Sequence, residues 1–572
     1  MPRDLTIRVA GENGEGLLSV GVVSSQAFAR MGLNVYTFNT PPAEIKGGSS
    51  MVQIRVGEGP VRSQGDALDI LMAWNQENYD FHIDALRPGG ILLYDPGECR
   101  PKESGSQRQY PVPLNQIIRE QIKNPRPKNV LAFAVLASLA GVPRDFAETF
   151  VRQKFGKRAD LLPLNLAAIQ HGYEFAQAHI PANGTHLPVV PQEEGSQVLL
   201  TGNQAISLGA MASGLQFFAG YPITPASDIM EFLSHHLYKV GGVVVQAEDE
   251  IASLAAVIGA SFAGRKAATA TSGPGLSLMV EEMGLATMQE LPLVVIDAQR
   301  GGPSTGLPTR TEQGDLDLAV YGRHGDAPRI VLAPTDVEDC FYTTMQAFNL
   351  AEKYQTPVIL LSDNHLSQRS QAIPRPDPAR VPVADRELTD GDRERFHRYA
   401  VTEGGVSPFA IPGVHNTPYV ATGLEHNERA HIDYSPQTHE VMMRKRQNKI
   451  LAAEHESGFV RRYGPAEADL GLICWGGTEG PVREAMERAE EKGLRVALLV
   501  PKMLWPLPER ALTQFMGSVK KTVVVEANFS GQLANLIQSR LCRPVLRCNR
   551  YDGMPFTAGD VLSYIEGVAN HD

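Results

Sequence analysis

Between residues 198 and 372 short apolar runs alternate with helical stretches, and this alternation restricts the fold more than any other feature of the chain. The runs are 243–245, 267–271, 293–298, 329–332 and 357–361. Such a pattern argues an α/β fold with a parallel, doubly wound sheet. It recurs on either side. Residues 1–180 open with a strand at 5–10, the turn Gly11-Glu12-Asn13-Gly14-Glu15-Gly16, a helical pattern at 17–31 and a strand at 35–38. Residues 468–572 open with a strand at 470–475 and the loop Gly476-Gly477-Thr478-Glu479-Gly480; a helix at 481–492 and strands at 495–500 and 522–526 follow. Turn formers fill the linker 181–197, and Pro374, Pro376, Pro378 and Pro382 mark a second one. Residues 373–467 read as linker and irregular chain, with a basic helix near 442–449. A chain of 572 residues needs several cores, and this multidomain division supplies them.

Composition excludes some functions. The net charge of −11 and the lack of a basic stripe argue against nucleic acid. The longest apolar run, 130–142, stops at Pro143 and is too short to span a bilayer, so it reads as a buried helix. The first residues carry no signal-peptide pattern, and Cys99, Cys340, Cys474, Cys542 and Cys548 form no Cys-x-x-Cys pair. Buried reduced thiols in a cytoplasmic protein are the expectation.

Ligands of doubly wound sheets lie at the carboxyl ends of the strands. In Gly220-Tyr221-Pro222-Ile223-Thr224-Pro225-Ala226-Ser227-Asp228, Thr224 stands between two prolines on stiff, extended backbone. A rigid hydroxyl there suits a carboxylate; the plainer reading is a turn before a helix at 227–237, capped by Ser227 or Asp228. The run 243–245 reads as a buried strand and leads into Gln246-Ala247-Glu248-Asp249-Glu250. Three acids in a row ordinarily begin a solvated helix, where the dipole favours negative charge. Ala270-Thr271-Ser272-Gly273-Pro274-Gly275 ends the next strand. Gln299-Arg300-Gly301-Gly302-Pro303-Ser304-Thr305-Gly306-Leu307-Pro308-Thr309-Arg310 follows a third, and Arg300 can grip a carboxylate with its fork. Two strings lie outside the central unit, Ala43-Glu44-Ile45-Lys46-Gly47-Gly48-Ser49 and Gly423-Leu424-Glu425-His426-Asn427-Glu428. The glycines at 11–16 depart from Gly-x-Gly-x-x-Gly, so a tight turn with no ligand is as good a reading.

Together these strings resemble the 2-oxoacid:ferredoxin oxidoreductases, of which Tyr-Pro-Ile-Thr-Pro is a hallmark. The resemblance covers nearly the whole chain. It implies a gamma-like domain over 1–180, the pyrimidine-binding domain of a thiamine diphosphate enzyme over 198–372 and a transketolase C-terminal-like domain over 468–572. Ile223, Glu250, Ser272 and Gly273 would face the thiamine pyrimidine. Glu250 would be the catalytic carboxylate against N1′, with Glu248 the runner-up. Thr224 and Arg300 would hold the C1 carboxylate of a 2-oxoacid, with Thr309 a further contact. Arg310 would meet a second carboxylate or lie on the surface, and Asn427, where relatives often carry Asp, would reach the site. Gly14, Gly16, Lys46 and Gly47 would handle coenzyme A.

The string 300–309 resembles the 2-oxoglutarate branch and its broad-specificity relatives. The implied reaction turns 2-oxoglutarate, coenzyme A and oxidised ferredoxin into succinyl-coenzyme A, CO2 and reduced ferredoxin. Its reverse would be CO2 fixation, as in a reductive TCA cycle. The alternatives are pyruvate or a branched-chain acid as substrate, or a noncatalytic coenzyme A-binding scaffold. The Gly-Asp-Gly…Asn clamp for Mg²⁺ and diphosphate has no counterpart here, since Asp390-Gly391-Asp392 lies in a polar stretch, and no metal ligand set is read in this chain. A partner beta subunit would carry Mg²⁺, the diphosphate site and a 4Fe–4S iron–sulfur cluster, in a heterotetramer built as a dimer of alpha–beta heterodimers.

Overall fold

The computed structural model describes residues 4–12, 16–40, 48–102, 106–181, 184–193, 195–414 and 416–569. The chain forms two compact units, Met1–Leu200 with Arg369–Arg375, and Thr201–Gln368 with Pro376–Asp572.

In the first unit an eight-stranded sheet runs Arg108–Pro111, Leu86–Tyr94, Leu68–Ala73, Asp4–Glu12, Ser49–Gly57, Asn34–Thr40, Ser370–Pro374, Gln197–Thr201. Asp4–Glu12 is parallel to Leu68–Ala73 and antiparallel to Ser49–Gly57, so the sheet is mixed. The apolar run of the sequence becomes the helix Lys128–Ala140, buried at every position from Val130 to Ala137. Gly16 heads the helix Leu17–Arg30 with φ +81°, a conformation that favours glycine, and a methyl there would stand 3.3 Å from Asn129 Nδ2.

The second unit holds two sheets. The larger runs Met503–Trp505, Ile330–Leu332, Pro357–Asp363, Leu293–Gln299, Ala267–Thr271, Phe217–Gly220, Val243–Gln246, all parallel except the first. The strands Ala267–Thr271, Leu293–Gln299 and Pro357–Asp363 are buried at every residue, as continuous apolar runs require. Val243–Gln246 departs from expectation. It is the edge strand rather than a buried one, with Val243 54% and Val245 37% exposed. A short apolar run marks a strand but does not fix its place in the sheet.

The smaller sheet runs Val460–Tyr463, Val496–Pro501, Ala468–Cys474, Val519–Glu526, Leu546–Asn549, with the first strand antiparallel. One apolar core joins the two sheets, taking Val295 and Ile359 from one and Ile473, Leu499 and Val524 from the other. The polar stretch before the smaller sheet contains the helix Pro436–Leu451. Buried charge holds that helix: Lys445 Nζ donates to both oxygens of Glu290 at 2.6 and 2.7 Å, and Lys449 Nζ reaches Oε2 at 2.9 Å. Among the described residues no helix is long and apolar enough to cross a membrane.

Candidate active site

Four neighbouring strands of the larger sheet, Leu293–Gln299, Ala267–Thr271, Phe217–Gly220 and Val243–Gln246, deliver the predicted residues beyond their carboxyl ends. Arg300 follows Leu293–Gln299, is only 8% exposed, and donates from Nη1 to the Thr224 carbonyl at 2.7 Å. Its Nε is buried with no hydrogen-bond partner. Thr224 itself is exposed, and its peptide bond to Pro225 is cis. The Ile223 carbonyl accepts from Ser227 N at 3.0 Å as the helix Ser227–His236 begins. Neither Ser227 nor Asp228 caps that helix; Ala226 is the cap residue, and Asp228 turns to Asn203. The proline-set turn supplies the entry geometry that a capping side chain would otherwise give.

Of the three consecutive acids only Glu250 is buried, at 6% exposure, while Glu248 and Asp249 are exposed. The reason is local. Asp249 takes the N-cap position of the helix Glu250–Phe262, accepting from Ala252 N at 2.7 Å. Glu250 thereby becomes the first helical residue and turns inward against Gly275. A methyl at Gly275 would stand 2.7 Å from Glu250 Oε1 and 2.0 Å from Thr271 Oγ1, so only glycine fits. No hydrogen-bond partner for the Glu250 carboxylate is found among the described residues. Ser272 ends the next strand, and its carbonyl accepts from Gly275 and Leu276 as the helix Gly273–Leu278 starts. Its Oγ is buried without a partner.

The loop from Arg300 to Asp315 is fastened at many points. Gly301 N donates to the Arg310 carbonyl at 3.1 Å. Thr311 Oγ1 donates to Asp363 at 3.0 Å. Gln313 clamps the loop to the C-terminal segments: its N donates to the Ala527 carbonyl, its Oε1 accepts from Ala527 N, and its Nε2 donates to the Trp475 carbonyl. The half-buried Arg310 packs on Gly553 and reaches Met554 Sδ at 4.0 Å, and no contact joins it to Arg300. Thr309 is half-buried in the same loop.

Two acids complete this region that the sequence reading passed over. Asp297 is fully buried in its strand, and among the described residues neither of its carboxylate oxygens has a hydrogen-bond partner. Burial pushes Asp297 well above the usual carboxylate range and Asp315 to about 6. The signal was available: an aspartate inside Leu-Val-Val-Ile-Asp-Ala has no place in an apolar strand without a purpose.

Other predicted residues lie apart. Asn427 Oδ1 accepts from Arg429 N and His431 N, so its amide closes its own turn. The neighbouring Glu425 binds Arg446 at 2.8 Å and His439 at 2.7 Å, on the wall of a 410 Å³ cavity that neither Arg300 nor Glu250 lines. Asp390 and Asp392 are both taken by Arg395. Gly14, Lys46 and Gly47 lie outside the described residues.

Comparison with known proteins gives consistent matches. Three family descriptions match in series: pyruvate ferredoxin/flavodoxin oxidoreductase over residues 6–175, the thiamine diphosphate-binding domain of pyruvate flavodoxin/ferredoxin oxidoreductase over 208–445, and core domain II of pyruvate:ferredoxin oxidoreductase over 468–561. The chain is 31% identical to 2-oxoacid:ferredoxin oxidoreductase 2, subunit alpha, of Aeropyrum pernix, covering 99% of this chain and 98% of that one. It is 34% identical to 2-oxoglutarate oxidoreductase subunit KorA of Mycobacterium tuberculosis, covering 99% and 91%. Among solved structures, the 2-oxoglutarate:ferredoxin oxidoreductase of Magnetococcus marinus, with 2-oxoglutarate, coenzyme A and succinyl-CoA bound, superposes with a TM-score of 0.95 at 44% identity, covering 99% of this chain and all of that one.

Proposed function

This chain belongs to the 2-oxoacid:ferredoxin oxidoreductases as an alpha subunit, and on that premise we propose that, with a beta subunit, it interconverts 2-oxoglutarate plus coenzyme A with succinyl-coenzyme A plus CO2, exchanging electrons with ferredoxin. The residues fit thiamine diphosphate on this side of its site. A buried carboxylate without a partner, a buried orphan hydroxyl and bare glycine backbone gather at the carboxyl end of one sheet. Burying such groups unpaired costs free energy, which a ligand's polar atoms would offset. When bound, thiamine diphosphate supplies the nucleophilic carbon and the electron sink for decarboxylation. Glu250 would hold a proton at N1′ of the pyrimidine, and Ser272 and Gly273 would line the ring.

The single observation that carries the substrate reading is the Arg300–Thr224 contact. With Nη1 fixed on the Thr224 carbonyl, the guanidinium is oriented before substrate arrives, and the remainder of the fork meets the C1 carboxylate. Thr224, exposed beside it, offers its hydroxyl to the same group. The relatives named for 2-oxoglutarate, and the string 300–309, support that acid over pyruvate. Thr309 would be a secondary contact, and Gly16, with Gly14, Lys46 and Gly47, would serve coenzyme A. The beta subunit would bring Mg²⁺, the diphosphate clamp and the iron–sulfur cluster.

The test is ferredoxin or viologen reduction by the assembled complex on several acids. The expectation is a coenzyme A-dependent rate whose kcat/KM is highest for 2-oxoglutarate. A higher value on pyruvate or a branched-chain acid would transfer the reading to that substrate. Turnover of none would leave the noncatalytic scaffold.

A further inference from the structure

Two residues of the turn that leaves the strand Val519–Glu526, Asn528 and Gln532, reach across to the far end of the loop that Arg300 begins. Asn528 is 2% exposed, and every hydrogen-bonding site of its amide is taken. Its Nδ2 donates to the Gln313 carbonyl at 3.0 Å and to Glu526 Oε2 at 2.8 Å, and its Oδ1 accepts from Gly531 N at 2.7 Å and Gln532 N at 3.3 Å. Gln532 Nε2 donates to the Gly314 carbonyl at 2.7 Å, and its Oε1 accepts from Asp317 N at 3.0 Å. We infer that Asn528, together with Gln532, is a positioning residue for the substrate: it fixes residues 313–314, and through them the loop that presents Arg300.

The turn is built as a fixed point. Glu526 is wholly buried, and its carboxylate accepts from Leu533 N at 2.9 Å and Ala534 N at 3.1 Å at the start of the helix Gln532–Leu541, where the dipole favours negative charge. Asn528 is bonded to that same carboxylate, and Gly531, with φ +70°, turns the chain into the helix. On the loop side the bonds lead back toward Arg300. The backbone of Gln313 is gripped at both ends, its N–H by the Ala527 carbonyl and its carbonyl by Asn528. Thr311 N donates to the Gly553 carbonyl at 3.3 Å. The Arg310 carbonyl accepts from Gly301 N, in the residue after Arg300. The two arms of the loop are thus bonded to each other one residue from Arg300, and the outer arm is bonded to the turn. Among the described residues the Arg300 side chain makes one hydrogen bond, to the Thr224 carbonyl, and its Nε makes none. Its direction therefore depends on the backbone that carries it, and small displacements of a group that holds substrate are costly.

The kinetic arm of the test rests on the proposed function; the exchange arm does not. In the alpha–beta complex Asn528→Ala should speed hydrogen exchange across residues 301–314. It should raise the KM for 2-oxoglutarate about tenfold, the effect of one lost hydrogen bond to the loop. It should leave kcat within about threefold of wild type and the KM for coenzyme A unchanged. A defect that merely unfolds part of the enzyme lowers kcat through the active fraction and leaves both KM values where they were. In the Arg300→Lys background the same substitution should change KM by less than about twofold, because it acts through a fork already gone. Gln532→Glu keeps the acceptor for Asp317 N and loses the donor to Gly314. It should show the same pattern at smaller size, and it decides alone if Asn528→Ala does not assemble. Unchanged exchange over 301–314 overturns the inference. So does faster exchange with an unchanged KM, or an effect of full size in the Arg300→Lys background. If the wild-type complex turns over no 2-oxoacid, the proposed function falls, and exchange still decides whether Asn528 holds the loop.

Discussion

A charged side chain in a protein interior needs a partner, and at these strand ends the partners are incomplete by design of the backbone. Asp249 takes the helix cap, which forces Glu250 inward; Gly275 leaves room for it. Replacing Glu250 by Gln keeps shape and burial and removes only the ionisable oxygen. The expected outcome is a fall in kcat of about 10²–10⁴-fold, the range of general acid–base contributions, with assembly of the complex unchanged. Near-normal turnover would move the role to Glu248. Arg300→Lys keeps the charge and loses the fork, so kcat/KM should fall on 2-oxoglutarate and 2-oxobutyrate alike. Arg310 was a candidate for the second carboxylate of 2-oxoglutarate, but its side chain packs on Gly553 and Met554. Arg310→Ala should therefore change kcat/KM on both acids by the same factor. A loss confined to 2-oxoglutarate would restore Arg310 as the discriminating residue. Glu250, Ser272 and Arg300 could be named from sequence because each follows an apolar strand, where ligands of such sheets collect. Asp297 is visible as an acid inside an apolar run, whereas the role of Gln313 depends on a partner 214 residues away, which no local string displays.

At the scale of elements, legibility followed the source of stability. Central strands such as Leu293–Gln299 and Pro357–Asp363 are held by apolar burial, and their composition announces it. The helix Pro436–Leu451 is held by ion pairs to a residue some 155 positions earlier, so its own sequence shows only a polar, basic stretch. Burial alone would raise the Glu290 carboxyl, but Lys445 and Lys449 outweigh it and hold it below the usual range. A carboxyl whose value is lower folded than unfolded contributes stability above its unfolded value, about 4.3, and loses it as pH falls through the folded one. Acid should therefore loosen this helix. Glu290→Gln should do so at neutral pH, because it leaves Lys445 and Lys449 buried without their counter-charge; breaking a buried pair in this way costs about 3–5 kcal/mol. Hydrogen exchange across 436–451 and the urea midpoint would register it. Unchanged exchange there would mean that apolar contacts hold the helix after all.

For the whole molecule, the edge strand Val243–Gln246 is the feature that a single chain leaves unfinished. Val243 and Val245 are exposed, as are Tyr238 and Val240 just before them, Ile251 beside Glu250, and Leu278. An open apolar edge invites pairing with another chain. The strand leads within four residues into Glu250, so a chain that covers the edge is expected to reach the candidate cofactor site as well. The chain purified alone should therefore be colourless and hold thiamine diphosphate weakly, whereas coexpression with its beta subunit should give a brown, active complex. A charge placed on the edge separates this account from one in which the partner binds elsewhere. Val245→Asp changes a side chain already exposed to water, so the lone chain should keep its thermal midpoint, since surface substitutions usually shift stability by no more than about 0.5 kcal/mol. Recovery of the beta subunit, bound iron and turnover should fall together. If Val245→Asp copurifies with its partner in full yield, the edge lies outside the interface. If the lone wild-type chain carries stoichiometric iron and cofactor, the chain needs no partner to complete its site.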